Sequence, residues 1–253
     1  MEDEMIRHVV MDMDGVVYRG DTPVPGAIET MQVLNSHGIN VAFLTNNASR
    51  HRVELVEKLL HMGLPCHIDQ MWGSAYTTAR YLSVEAPQSK IFPIGMPGMM
   101  REFTEVGLNI ISNPDEATHV VVGLDRNFTY EKLTCAHRAI CAGANFIATN
   151  LDVTFPDSPS NTVPGAGALA AALQASTGVT PKVIGKPQTT GIALIADSWG
   201  VEPRPLSRLA TVWIQILPPI HVSRNDALTC SQVVVSRFDT SWNAAFLDRF
   251  NRL

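Results

Sequence analysis

The sequence predicts an α/β fold in which a parallel sheet carries crossover helices and a second, smaller α/β domain is inserted into the first. Three observations predict it. Short apolar runs alternate with helix-like stretches along the 253 residues, the pattern of strands linked by crossover helices. Several of these runs stop at compact polar signals. The middle of the chain has an alternation of its own, long enough for a separate small domain.

Taken in order, Ile6 to Met11 is a β-branched apolar run that reads as a buried parallel strand and ends at Asp12. Val41 to Leu44 is a second strand, ending at Thr45-Asn46-Asn47. Arg50 to Met62 follows with apolar residues at Val53, Val56, Leu59 and Leu60, a helical stripe closed by Gly63. In the middle, Ile91 to Ile94, His119 to Val122 and Asn145 to Thr149 read as strands, and Met99 to Val106 and Tyr130 to Ala142 as helices. The Ala-rich stretch Ala166 to Ala175 suits a closely packed helix after Pro164-Gly165. Lys182 to Ile184 reads as a strand ending at Gly185-Lys186-Pro187, with a helix from Thr189 to Trp199. Leu209 to Ile214 and Gln232 to Val235 read as two further strands. The expected division is a core of 1–75 and 181–253 and an inserted domain of 76–180.

Composition narrows the function. With 45% hydrophobic residues the chain can bury one large core or two modest ones, and a formal charge of -5 argues against general nucleic-acid binding. No apolar run is long enough to span a bilayer. The acidic start Met1-Glu2-Asp3-Glu4-Met5 lacks the basic character of a secretory signal, so the expected location is cytoplasmic. Cys66, Cys135, Cys141 and Cys230 are scattered without metal-binding spacing and read as reduced thiols.

In an open parallel sheet, reactive groups collect where strands end. Asp12-Met13-Asp14-Gly15 places two carboxylates one residue apart just past a buried strand. Their mutual repulsion is about 4 kcal/mol at 4 Å and an effective dielectric near 20. A divalent cation removes that cost, and hard oxygen ligands suit Mg²⁺. Thr45 and Asn46, ahead of a helix, can donate to phosphate oxygens. Gly185-Lys186 offers a close backbone approach and an ammonium that can neutralise a phosphoryl group. Each signal alone has a bland reading as a cap, a turn or surface. Their occurrence in this order, each at a strand end, is the informative feature.

With these residues in view the chain resembles the haloacid dehalogenase-like (HAD) superfamily, in particular its NagD-like or 4-nitrophenylphosphatase-like branch. Asp12 to Gly20 looks like the first family motif, Phe43 to Asn47 like the second and Ile184 to Pro187 like the third. Val121 to Tyr130, Ala148 to Asp152 and Pro164 to Gly167 are similar to segments of the family's cap. The resemblance implies a Rossmann-like parallel-sheet core with an inserted α/β cap, and an Mg²⁺-dependent phosphatase of small phosphorylated metabolites. It implies Asp12 as nucleophile and Asp14 as general acid and base, with both at the metal. Gly15, Thr45 and Asn46 would bind phosphate, Lys186 would neutralise charge, and Asp152 would contact substrate from the cap. It leaves a homodimer open and gives no role to nucleic acid or membrane.

One motif departs from the pattern. Where the fourth motif should supply carboxylates, the chain has Trp213-Ile214-Gln215-Ile216-Leu217-Pro218-Pro219-Ile220, so Ile214 stands at the usual third metal-ligand position. Loss of such a group commonly costs about 10²–10³ in rate. The competing expectation is therefore a HAD-fold protein that binds phosphorylated molecules and turns them over weakly. A dinucleotide-binding dehydrogenase is not supported, because no Gly-x-Gly-x-x-Gly follows the first strand.

Overall fold

The computed structural model describes residues 7–158 and 161–201. They fall into two compact units, one of residues 7–44 and 58–70, the other of residues 45–57 and 71–201. The strands expected at Leu209 to Ile214 and Gln232 to Val235, together with Ile214 and Cys230, lie outside the described residues.

In the first unit, β1 (His8–Met11) pairs in parallel with β4 (Asn40–Thr45), Val9 opposite Val41 and Met11 opposite Phe43. Val9, Val10, Met11 and Val41 to Leu44 are all buried, as expected of an apolar run inside a parallel sheet. Between these strands lie a tight hairpin, β2 (Tyr18–Arg19) and β3 (Thr22–Pro23), and α1 (Ala27–Ser36), which buries Met31 and Leu34. The helix α2 (Arg52–His61) ends within this unit. There Lys58 Nζ sits 4.2 Å above the buried Tyr18 ring and 3.4 Å from Asp21 Oδ1, which fastens the hairpin. Cys66 is buried, and burial pushes its thiol up to about 11, an inert site for a cysteine. His61 and His67 are exposed.

The second unit contains β5 (Met71–Gly73), α3 (Ser74–Glu85), β6 (Lys90–Ile94), α4 (Pro97–Glu105), β7 (Asn109–Ile110) and β8 (His119–Val122). It continues with α5 (Tyr130–Cys141), β9 (Asn145–Ala148), the hairpin β10 (Thr154–Ser158) and β11 (Asn161–Pro164), α6 (Ala166–Thr177), β12 (Lys182–Val183) and α7 (Thr190–Ser198). Five of these strands form one parallel sheet in the order β12-β9-β8-β6-β7. Side chains alternate across it with period two. Phe92, Ile94, Val120, Val122, Phe146 and Ala148 pack with α5 and α6 residues such as Ile140 and Leu173. Ile91, Val121 and Ile147 face the other way, onto Ala79, Leu82, Met99 and Phe103 of α3 and α4. Both faces are therefore covered, as parallel sheets require. Pro93, which has no N–H to offer, comes after the last β7 rung at Ile91.

The helix α4 starts two residues before the expected Met99, because Pro97 suits a first helical turn. Among the described residues, the segment leading to Lys186 is the edge strand beside β9, with Lys182 opposite Ile147 and Val183 opposite Ala148.

One pH response follows from this sheet. His119 is lowered from its ordinary 6.5 by burial, so the fold favours the neutral imidazole. Its contribution is complete above about 6.5 and is lost as the pH falls through and below that value. The melting temperature should drop on acidification below 6.5, and more steeply than in a His119→Gln variant; parallel curves for the two proteins would refute this.

Candidate active site

The loop after β1 is built around a buried residue rather than around its acids. Met13 is fully buried, and its carbonyl accepts hydrogen bonds from the main-chain nitrogens of Val16, Val17 and Tyr18 at 3.3, 2.9 and 3.3 Å. Asp12 and Asp14 flank this pin. Asp12 is half-buried and its Oδ1 accepts from Met13 N at 2.7 Å, whereas Asp14 is exposed. Gly15 turns the chain at φ 82, left-handed backbone that a side chain would disfavour by about 1 kcal/mol or more, and its N–H reaches Tyr18 O at 2.8 Å. The result is a short, cross-braced turn that presents a half-buried carboxylate next to a solvated one.

The residues after β4 form a second polar cluster, within the other unit. Thr45 is 2% exposed, and its Oγ1 accepts from Asn47 N at 3.1 Å. Asn47 in turn accepts from Ser49 N and Ser49 Oγ at 2.9 and 2.7 Å, which shapes the approach to α2. Asn46 reaches residues distant in sequence. Its Oδ1 accepts from Lys186 N at 2.8 Å, and its Nδ2 donates to Lys186 O at 3.1 Å and to Asp152 Oδ1 at 3.2 Å. The main chain of Asn46 is held as well, its carbonyl accepting from Ser74 Oγ at 2.7 Å and from buried Asn150 Nδ2 at 2.8 Å. Three expected site residues, Asn46, Asp152 and Lys186, are thus brought together, while Asp12, Asp14 and Gly15 share their own loop.

The loop carrying Asp152 is supported from behind by the start of α6. Gly165 N donates to Val153 O at 2.8 Å and Gly167 N to Asp152 O at 2.9 Å. A Cβ on Gly165 would lie 2.2 Å from Asp152 O, and one on Gly167 2.2 Å from Leu151 O, so both positions require the absence of a side chain. This explains the glycines of Pro164-Gly165-Ala166-Gly167, which sequence reading singled out without a structural role.

A further polar cluster was not foreseen. His51, Glu102 and Glu105 bring ligand atoms within 4.8 Å of one another. The cluster is an ion-pair network. Glu102 Oε1 accepts from Arg52 N at 2.6 Å and Oε2 from Arg52 Nε at 2.9 Å, so a guanidinium occupies the place a cation would take. His51 Nδ1 accepts from Val53 N at 3.2 Å, which puts the proton on Nε2, 3.0 Å from Glu105 Oε2. Burial pushes the Glu102 carboxyl up, against the pull of Arg52 and His51. The Arg52 guanidinium also stacks 3.6 Å from the Tyr76 ring centre, so the network joins the start of α2 to α3 and α4.

Comparison with known proteins agrees with this architecture. The sequence pattern described as haloacid dehalogenase-like hydrolase matches residues 9–109. An acid sugar phosphatase of Staphylococcus epidermidis is 37% identical over 193 residues, covering 76% of this chain and 74% of that protein. A p-nitrophenyl phosphatase from Archaeoglobus fulgidus superposes with a TM-score of 0.73 at 35% identity, covering 78% of this chain and 75% of that one. The glycerol phosphate phosphatase of Mycobacterium tuberculosis, solved in complex with magnesium, superposes with a TM-score of 0.70 at 30% identity, covering 77% of this chain and 59% of its own. The chain belongs to the haloacid dehalogenase-like hydrolases, in their NagD-like phosphatase branch.

Proposed function

We propose that this protein is an Mg²⁺-dependent phosphatase of small phosphate monoesters, sugar phosphates among them. The observation that carries the reading is the Asp12-Met13-Asp14 turn at the end of β1, a half-buried acid beside an exposed one on a rigid loop. Asp12 would attack the phosphorus in line and form an aspartyl-phosphate as the alcohol leaves. Asp14, in contact with solvent, would give its proton to the leaving oxygen and then take one from the water that hydrolyses the intermediate. Gly15 and Thr45 would bind phosphate oxygens, and the Lys186 ammonium would offset charge on the phosphoryl group and on Asp12.

The acids fit magnesium, since Asp12, Asp14 and the Asp14 main-chain carbonyl offer hard oxygen donors from one short loop. When bound there, the ion supplies charge neutralisation for the phosphoryl oxygens. The Mycobacterium tuberculosis neighbour's magnesium complex supports the choice of metal. With Ile214 at the usual third position, the expected consequence is weak metal affinity and a slow rate, not a different reaction. We further propose that 1–75 and 181–253 act as the core and 76–180 as a cap whose Asp152 reads the substrate.

Hydrolysis of a chromogenic aryl phosphate, followed as Mg²⁺ is raised, tests the reading. Turnover that saturates with metal is expected; none at any metal concentration would leave a protein that binds phosphorylated molecules without hydrolysing them. Asp152→Ala should raise KM for a hydroxyl-rich sugar phosphate about tenfold, the equivalent of one or two hydrogen bonds, with a smaller change for the aryl phosphate. Equal KM values for both substrates in parent and variant would remove Asp152 from substrate contact.

A further inference from the structure

The side chain of Asn46 makes a two-point contact with a single residue, meeting both the N–H and the C=O of Lys186, 140 positions away in sequence. Both of its N–H directions have acceptors, Lys186 O and Asp152 Oδ1, and its oxygen has a donor. An amide so engaged cannot also donate to a phosphate oxygen unless one of these bonds breaks.

We propose that the side chain of Asn46 is a positioning group, a clasp that fixes the main chain of Lys186 and links it to the substrate-facing Asp152, rather than a direct phosphate ligand. Two features show that the clasp is built in. Gly185 leaves the space it needs, since a Cβ there would lie 2.7 Å from Asn46 Oδ1 and 2.4 Å from Thr149 O. Asn46 is itself immobilised, its carbonyl held by Ser74 Oγ and by Asn150 Nδ2, and Ser74 and Asn150 are 1% and 4% exposed. Preorganisation of this kind is what a charge-stabilising group requires. The Lys186 side chain has a long flexible stem, so its head is only as well placed as the backbone it leaves. The same amide nitrogen donates to Asp152, so the position of the ammonium and that of the cap carboxylate are set by one group. The catalytic meaning of the clasp rests on the phosphatase reading, but its existence does not.

Two measurements separate these. Hydrogen exchange at the Lys186 amide, followed by NMR on the full chain, reads the clasp without any turnover. Asn46→Ala should speed that exchange about tenfold or more. Asn46→Asp keeps the oxygen that accepts from Lys186 N but sets a carboxylate against Asp152 and Lys186 O, and should also speed it. Unchanged exchange in either folded variant overturns the proposal, and the near-isosteric Asn46→Asp serves if the alanine variant does not fold. Kinetics then test the use of the clasp. Asn46→Ala should lower kcat about 10²-fold with KM for an aryl phosphate within about twofold, and should cost nothing further in a Lys186→Ala background. Losses that multiply would mean that Asn46 acts on the phosphate independently, which also overturns the proposal. Faster exchange in a protein whose parent shows no turnover would leave the clasp standing and refute the phosphatase reading alone.

Discussion

Asp12→Asn is expected to lower turnover of an aryl phosphate by about 10⁴-fold or more at saturating Mg²⁺, with little change in melting temperature. The carboxylate is the only group assigned to bond with phosphorus, and a neutral amide of the same shape is a poor nucleophile. The near-isosteric change keeps the hydrogen bond from Met13 N to Oδ1, because an amide oxygen accepts it equally well. Steady-state assays with a thermal melt of the same preparations check both halves. A variant retaining more than a tenth of parental activity would exclude Asp12 as the nucleophile, and with it the aspartyl-phosphate route.

The second large effect is structural in origin. Gly167→Ala should destabilise the protein by about 1–3 kcal/mol, a fall of roughly 2–12 °C in melting temperature for a chain of this size. Helix propensity predicts the opposite sign, since alanine is better than glycine inside a helix by about 1 kcal/mol. Gly167 lies in the first turn of α6, and its Cβ would stand 2.2 Å from Leu151 O and 2.5 Å from Leu151 C, neither of which is the yielding end of a side chain. The Leu151 to Thr154 backbone must retreat, taking Asp152 with it. Melting curves decide the sign, and a stabilised variant would show that the helix start and this loop are less closely packed than described. KM for a sugar phosphate should rise as well, a change that general destabilisation alone would not produce.

The elements most legible in the sequence are those whose local pattern agrees with their tertiary setting. His119 to Val122 is a strand at its expected bounds, because a β-branched run buried on both sides leaves no competing reading. Asn145 to Ala148 and Tyr130 to Cys141 come within one residue for the same reason. The helix α3 escaped notice because its buried face is Ser74, Ala75, Thr77, Thr78, Ala79 and Leu82, small and partly polar but for the leucine, which gives only a weak apolar stripe. The hydroxyls on this face are satisfied, Thr77 by Gly73 O, Thr78 by Ser74 O and Ser74 by Asn46 O, so burial carries no penalty that composition could signal. The acids Asp12 and Asp14 could be located because strand ends are visible in a single sequence. The Asn46 contact could not, since a hydrogen bond across 140 residues leaves no periodicity to read. The His51 network was hidden likewise, its partners lying 51 to 54 positions on at Glu102 and Glu105.

The hydrogen-bonded ladder between β9 and β12 continues past the strands themselves, through Ile184 N to Ala148 O at 3.1 Å and Gly185 N to Thr149 O at 2.8 Å, up to the residue before Lys186. It therefore works as a ruler, counting residues from the alanine-threonine corner to the ammonium. Sequence changes in the turn between Gly178 and Pro181 are tolerable so long as the count is preserved. A single insertion or deletion that slipped the rungs by one would rotate Lys186 to the opposite side of its strand and leave an intact sheet with its cation facing the wrong way.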